Sequence, residues 1–533
     1  MSHISALQSL LGADAHLITD PDITASYSRD QAPFAQSAPP LAVLLARSAE
    51  QISTTLRYAN EHKIPVVTRG AGSGLAGGAN SSADSIVISL EKMNQIISID
   101  AENQIARVQA GVINLDLDTK VKELGLAYLP DPASRDWSTL GGNAATNAGG
   151  MCCVKYGVTS SHVRAAQVVL ASGEIIELGK ATKKSVTTYD LLHLFIGSEG
   201  TLGIITELTL NLEIRPQSPA TLIATFPSVA KAAAASAQLL RFKPSMLEIV
   251  DQTTLKAVEA WHPLGFEIAG SVLIMQLDEN LHRCQEALDV CKNFDLIDGV
   301  FSEDPADTAD LIRVRKMAYP ALERMGATLL DDVALPITKI AEFVEKVEAL
   351  SASSDLTIGI FGHAGDGNMH PTIVHEHGDT AAAALAQKVF GEIVAIAQAL
   401  GGTASGEHGI GSIKSALVAD EISPTVMALQ RNIKAVFDPN SILNPGKKCS
   451  GSRNILRISA LTTCAGRNDL LERKQQPMPR SRHWSSVPSC SAPGCSASTT
   501  LYSCQPPMPT TLSPARNLGW RDSTTSPTVP PII

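Results

Sequence analysis

The segment PVVTRGAGSGLAGGAN, residues 65–80, constrains this chain more than any other, because it contains a literal G-x-G-x-x-G (Gly72-Ser-Gly-Leu-Ala-Gly77) and no helix follows it. A Rossmann turn grips the pyrophosphate of a nicotinamide dinucleotide through the N-terminus of the helix that leaves the loop. Here Val66 and Val67 lead in as a strand, and Glu91 sits near the spacing of a ribose-binding acid. However, Gly77-Gly-Ala-Asn-Ser-Ser runs into β-branched Ile86, Val87 and Ile88, so the loop joins strand to strand. It is not a P-loop either, since no Gly-Lys-[Ser/Thr] follows. What survives is a nest of backbone N–H groups that an anionic diphosphate can approach closely where Cβ atoms are missing. The competing reading is a plain structural turn.

Two further glycine-rich segments favour the ligand reading. Leu129-Pro-Asp-Pro-Ala-Ser134 precedes Ser138-Thr-Leu-Gly-Gly-Asn-Ala-Ala-Thr-Asn-Ala-Gly-Gly150, whose Asn and Thr offer donors and acceptors beside a flat ligand. Gly197-Ser-Glu-Gly-Thr-Leu-Gly-Ile-Ile-Thr206 is a compact turn entering a strand. Three such segments close together are better explained by a long dinucleotide threaded between lobes than by three unrelated turns.

Around them, short strands alternate with amphipathic helices. Ser48-Ala-Glu-Gln51 has the form of a capping box, and Ile52, Leu56 and Ala59 follow on one helical face that ends before Pro65. Strands are predicted over 84–90 and 106–111, and a hairpin over 168–178 turning at Ser172-Gly173. A long helix is predicted over 380–400, closed by Gly401-Gly402. The main domain boundary falls near Pro216, and no tandem repeat is present.

A chain of 533 residues, 44% hydrophobic and 18% charged, is long enough for two or more cored domains. Its net charge of −10 argues against a nucleic-acid partner. No apolar run approaches the roughly 18 residues of a membrane span. The first residues lack the basic region and long apolar core of a secretory signal, so the expected location is cytoplasmic. Up to residue 448 the cysteines are Cys152, Cys153, Cys284 and Cys291, with no C-x-x-C pair to hold zinc or an iron–sulfur cluster. Beyond Pro445-Gly-Lys-Lys448 the composition turns to Ser, Pro, Thr and Arg, with Cys449, Cys464, Cys490, Cys495 and Cys504 and the opposite charge sign. Residues 449–533 are expected to be a disordered tail without chemistry, and they read like a stretch translated out of frame.

Two constellations stand out in the second half. They are Phe361-Gly-His363-Ala-Gly-Asp-Gly-Asn-Met-His370 and Ser405-Gly-Glu407-His408-Gly-Ile-Gly411. On a straight strand His363 and His370 would face opposite sides, but Gly365-Asp366-Gly367 can fold the strand back and bring them together. Two imidazoles and a carboxylate suit Zn²⁺, Mn²⁺ or Fe²⁺, against the blander reading of structural histidines around a turn. Adjacent Glu407 and His408 are expected to project different ways, and His375 and His377 to be solvated.

The order RGAGSGLAGGA, PDPAS…TLGGNAATNAGG, KYGVT and GSEGTLGIIT resembles the FAD-binding domain of the vanillyl-alcohol-oxidase (PCMH-type) flavoproteins. The likeness covers roughly residues 10–448 and is to the branch of glycolate oxidase FAD subunits and D-lactate dehydrogenases. It implies an α+β fold: a two-lobed FAD-binding domain over 1–216, then an α+β substrate- and metal-binding domain over 217–448. It further implies that Arg69, Gly70, Ala71, Gly72, Ser73, Gly74, Gly77 and Gly78 wrap the FAD pyrophosphate. Pro132, Ser134, Thr139, Gly142 and Asn143 would line the flavin side, with Glu199, Gly203 and Ile205 near the cofactor. Since residues 65–80 contain no His, the FAD is expected to be non-covalent.

By the same resemblance, His363, His370 and Glu407 match divalent-metal ligands, His408 the catalytic base and Arg315 the substrate arginine, with Arg313 left as a surface charge. The implied reaction oxidises a small D-2-hydroxy acid, D-lactate or glycolate, to the 2-oxo acid by hydride transfer to flavin N5. Electrons then pass to an external acceptor: a quinone, a cytochrome, an electron-transfer flavoprotein or a partner subunit. Relatives acting on D-2-hydroxyglutarate carry a Lys shortly before Leu335-Pro336, where this chain has Leu329-Leu-Asp-Asp332. The competing readings are a dehydrogenase of that kind, a non-catalytic FAD-binding subunit and a metal-dependent hydrolase. A homo-oligomer or hetero-complex, peripheral at a membrane through its acceptor, is compatible with the same likeness.

Overall fold

The computed structural model describes residues 2–448 other than 218, 264–267, 279 and 280; the tail read over 449–533 lies outside the described residues. Ser48 caps the helix Ala49–His62 by accepting the Gln51 N–H, and Lys63 ends it in the left-handed region at φ 54°. Ile52, Leu56 and Ala59 are buried in one core with Leu44, Val66, Ile86 and Ile88. The sheet beneath runs His16–Ile18, Ala42–Leu45, Ile86–Ser89, Val66–Arg69. The last two strands are parallel neighbours, so the glycine segment is a crossover that returns to the same sheet without a helix. That parallel register is a finding, since β-branched runs announce a strand but not its partner.

A second, antiparallel sheet has the order Ile96–Asp100, Ile105–Gln109, Ile204–Asn211, Val163–Val169, Ile175–Gly179. Its central strand follows directly from the Gly197–Gly203 turn, which fixes that turn against the sheet.

After residue 219, every named strand joins one eight-stranded sheet. One face is covered by helices including Val229–Leu239, Ile340–Ser354 and Thr380–Ala399. Gln252–Trp261, Pro305–Lys316 and Ala318–Glu323 cover the other. The architecture is α+β with two domains, as expected. Thr380–Ala399 has the length and composition of a membrane-crossing helix, which the sequence reading credited to no segment. In this fold it seats Val389, Ile393 and Val394 in the core, with Lys388 and Glu392 paired at 3.4 Å.

The chain then returns to its first lobe. The Val66 N–H donates to the Ile442 carbonyl at 2.8 Å, the Asn444 N–H donates to Val66 at 2.8 Å, and Phe437 meets Phe195 edge-on at 5.1 Å. Linear order and spatial order therefore differ for the last stretch of the described chain. The tie is polar at its centre. Buried Lys434 donates to Asp438 and to the carbonyls of Thr201 (2.6 Å) and Leu443 (2.9 Å), while Asp438 accepts the N–H groups of Ile442 and Leu443 at 3.0 and 2.8 Å. Asp438→Ala strands a buried ammonium and is expected to cost about 3–5 kcal/mol, read as a fall in the denaturant midpoint.

Candidate active site

A cavity lies between the glycine crossover, the 132–149 segment and the 198–205 turn. Missing Cβ atoms let these walls meet. A Cβ on Gly70 would collide with Thr139 Oγ1, the atom that caps the helix Leu140–Thr146. On Gly203 it would lie 2.7 Å from Val168, and on Gly149 2.5 Å from Glu407 Oε2.

Gly70, Ala71, Gly72, Ser73, Gly74 and Gly78 line the cavity, as do Pro132, Ser134, Thr139, Gly142 and Asn143 and, from the third segment, Glu199, Gly203 and Ile205. Arg69 and Gly77 do not. The Arg69 guanidinium is tucked behind the loop, donating to the Arg29 and Ala71 carbonyls at 2.7 and 3.4 Å. It fills the space a Gly72 side chain would need. Gly77 sits at φ 76° and its carbonyl accepts Lys447 Nζ at 2.7 Å. Both residues brace the cradle from behind. On its walls the buried Thr68 Oγ1, Asn143 Nδ2 and Asn444 Oδ1 have no protein partner among the described residues, which suits a polar, hydrogen-bonding occupant such as FAD. Thr68 and Asn444 escaped the sequence reading, although Asn444 stands directly after the apolar Ile442-Leu443 and begins a turn with Pro445 and Gly446.

Glu407 and His408 close the cavity. Behind them, Thr357–His363 and Asn368–His375 form a hairpin that turns through 364–367, with Gly367 at φ 90°. His363 pairs with Asn368 and Phe361 with His370, so the turn brings the two histidines to one face with ring centroids 5.2 Å apart. Their Nε2 atoms stand 3.5 and 3.4 Å from Glu407 Oε1. On its other side, His363 Nδ1 lies 2.8 Å from Glu248 Oε1, so Nδ1 donates to Glu248 while Nε2 faces Glu407.

Burial disfavours charge on each of these groups, yet their neighbours reverse the outcome for two. Glu248 and Glu407 raise His363 well above the ordinary imidazole value, and the facing imidazoles hold the Glu407 carboxyl well below its own. His370 stays below the usual value because burial prevails there. The donor atoms of His363, His370 and Glu407 all lie within 4.8 Å of one another, a set that fits a divalent cation. Asp332, His370 and His408 meet the same distance test. The Asp332 carboxylate, however, is already engaged by the N–H groups of Glu407 (3.2 Å) and His408 (2.8 Å), by Ser405 Oγ (2.7 Å) and by Asn368 Nδ2 (2.8 Å).

His408 stacks on His370 at 5.1 Å and 10°, with Nε2 3.6 Å from Glu407 Oε1. The two neighbours therefore converge on the same point instead of projecting apart. Burial lowers the His408 pKa, but the charges of Asp332 and Glu407 outweigh it and leave it raised.

Arg315 does not line the cavity. Its Nε donates to Glu248 Oε2 at 2.6 Å and its guanidinium lies 4.8 Å over the Phe361 ring, so it connects to His363 through Glu248. Glu248 is the main residue the sequence reading missed. The signal was a lone acid within the buried strand Met246–Val250. Asp331 and Asp332 are similarly buried, and Lys414 Nζ stands 2.8 Å from Asp331 Oδ1. Arg313 is exposed beside Asp310, and His377 is exposed. His375 is not solvated as expected: it ends the strand paired to Ala327 and is buried near Phe34.

Residues 215–448 match the family model described as FAD linked oxidases, C-terminal domain, and residues 40–179 match the FAD binding domain. The glycolate oxidase subunit GlcD of Bacillus subtilis (strain 168) is 39% identical over 429 residues, covering 79% of this chain and 91% of its own. A D-lactate dehydrogenase of Anaerostipes hadrus is 38% identical over 455 residues, covering 82% and 95%. Among solved structures, p-cresol methylhydroxylase with substrate bound has a TM-score of 0.69 at 20% identity over 84% of this chain and 96% of its own, a likeness of fold. Because a side chain at position 70 must displace the Thr139 cap, Gly70→Ala is expected to carry less FAD per chain than the wild type, measured by visible flavin absorbance.

Proposed function

This chain belongs to the FAD-linked oxidases and is an FAD-dependent hydroxy-acid oxidoreductase; from that premise we propose that it oxidises D-lactate or glycolate, with a divalent cation held by His363, His370 and Glu407. The observation that carries this reading is that Glu407 and His408 line the same cavity as the glycine cradle. FAD, when bound, supplies the hydride acceptor. A cation on the His363/His370/Glu407 set would polarise the substrate hydroxyl as a Lewis acid.

The protein's own groups supply the rest. His408 Nε2 takes the hydroxyl proton, and a cation held beside Glu407 would counter the acidic neighbours that raise its pKa. Arg315 stands outside the cavity lining with Nε committed to Glu248, and in this reading its terminal nitrogens are the planar fork that would meet the substrate carboxylate. Leu329-Leu-Asp-Asp332 stands where relatives acting on D-2-hydroxyglutarate carry a Lys, and the missing cation supports a substrate with a single carboxylate. Electrons leave to a quinone, a cytochrome, an electron-transfer flavoprotein or a partner subunit. The last is supported by relatives named as subunits of glycolate oxidase. In that setting the protein works in the cytoplasm or at the membrane face through its acceptor.

Anaerobic mixing with D-lactate, glycolate and D-2-hydroxyglutarate tests the reading, with flavin bleaching expected for one of the first two and not the third. His408→Ala is expected to keep FAD and slow bleaching by about 10²–10⁴-fold; loss of the flavin itself from that variant would remove His408 from its assigned role. Chelation should abolish bleaching, and Zn²⁺, Mn²⁺ or Fe²⁺ should restore it.

A further inference from the structure

Glu199 lines the cavity, yet its carboxylate is spent on the loop that carries Glu407 and His408. Its Oε1 accepts the Ile410 N–H at 2.9 Å and its Oε2 the Gly411 N–H at 2.6 Å. The side chain is buried, and its backbone is held in the left-handed region at φ 54°. The Glu199 N–H donates to Ala145 at 2.8 Å, and its carbonyl accepts Asn444 Nδ2 at 2.6 Å. The conformation is thus over-determined by partners on both sides, as strained residues require. One residue further along, the Ser412 N–H donates to the carbonyl of Ala76 at 2.9 Å, within the glycine crossover itself. At its other end the loop hangs from Asp332, which accepts the N–H groups of Glu407 and His408. A single segment is therefore stretched between two buried carboxylates, one from each domain.

We propose that Glu199 is a positioning residue for the reaction: by fixing the 410–411 amides to the FAD lobe, it sets where His408 and Glu407 stand relative to the cavity. A carboxylate with both oxygens engaged, carrying negative charge, is a poor ligand for a diphosphate and a good anchor for amides. Lys448 Nζ pairs with Oε1 at 3.6 Å. The inference rests on His408 as the proton acceptor for its kinetic consequence only.

The test uses the FAD-loaded protein and the pair Glu199→Gln and Glu199→Ala. Gln keeps the length and one acceptor oxygen, and Ala keeps neither. Amide hydrogen exchange at Ile410 and Gly411 is expected to quicken in Ala and to be intermediate in Gln, with FAD content as in the wild type. The limiting rate of anaerobic flavin reduction should fall by about 10²-fold in Ala, the scale of a small misplacement of a reacting group. The substrate concentration at half-maximal rate should change little, a split that a general loss of stability would not produce. Unchanged exchange at Ile410 and Gly411 would overturn the proposal. So would a Glu199→Ala protein that sheds FAD while the loaded fraction reacts at the wild-type rate. Should His408→Ala react like the wild type, the base assignment fails, and exchange at Ile410 and Gly411 still decides on the anchor.

Discussion

Glu407 places a carboxylate where burial alone would neutralise it, and the surrounding imidazoles keep it ionised. Both domains are shaped to make that meeting. His363 and His370 reach it only because a hairpin reverses between them, and His408 reaches it from a loop whose N–H groups Asp332 accepts. Glu248 then fixes the ring of His363 from behind and ties it to Arg315. An uncompensated buried charge costs several kcal/mol, so the cluster stands or falls as a unit. A cation is the natural complement to such a donor set, because it neutralises the carboxylate without needing protons on the imidazoles.

The cradle opposite obeys a different constraint, which is distance. Gly70 against Thr139 Oγ1, Gly149 against the Glu407 carboxylate and Gly411 against the Ala76 carbonyl are places where two segments approach closer than a Cβ permits. The glycines are therefore interfaces between segments as much as ligand contacts. This is why Gly77 and Arg69 belong to the motif without facing the cavity: they hold the crossover in shape, and Lys447 holds Gly77 in turn.

Much of this was legible in the sequence, and the failures have physical causes. Local rules located Ala49–His62 and the hairpin read over 168–178, whose strands extend over Val163–Val169 and Ile175–Gly179, since caps, turns and periodicity are short-range. The absence of a helix after the glycine run excluded the Rossmann reading for the same reason. Parallel pairing of Val66–Arg69 with Ile86–Ser89 and the return of residues 437–444 to the first lobe are long-range, and nothing in the local pattern encodes them. In the site, Glu407 and His408 were visible because histidine and carboxylate clusters stand out. Their anchoring did not, because Asp332 and Glu199, the latter expected only near the cofactor, act through their neighbours' amides and carry no spacing signature. Glu248 was detectable in principle, as an acid in a run of buried apolar residues.

Those anchors point to a general device in this fold. Irregular loops around a cofactor cannot satisfy their N–H groups with a ladder, and exposing them to water would open the cavity. Here buried acids do it instead. Asp30 takes the amides of Ala32 and Ala79, Asp131 that of Cys152, and Asp438 those of Ile442 and Leu443. Burial raises the carboxyls of Asp30 and Asp131, the latter to about 6, so their bonds come at an electrostatic cost that the amides only partly offset. Replacing such an acid with an apolar residue leaves the amides unmet, whereas replacing it with its amide preserves part of the acceptance. The net charge of −10, which first served to exclude nucleic acid, thus includes carboxylates that face inward and never meet a partner molecule. In this protein the carboxylates of Glu199 and Asp332 are framework, and what they hold in place is the loop that presents Glu407 and His408 to the cavity.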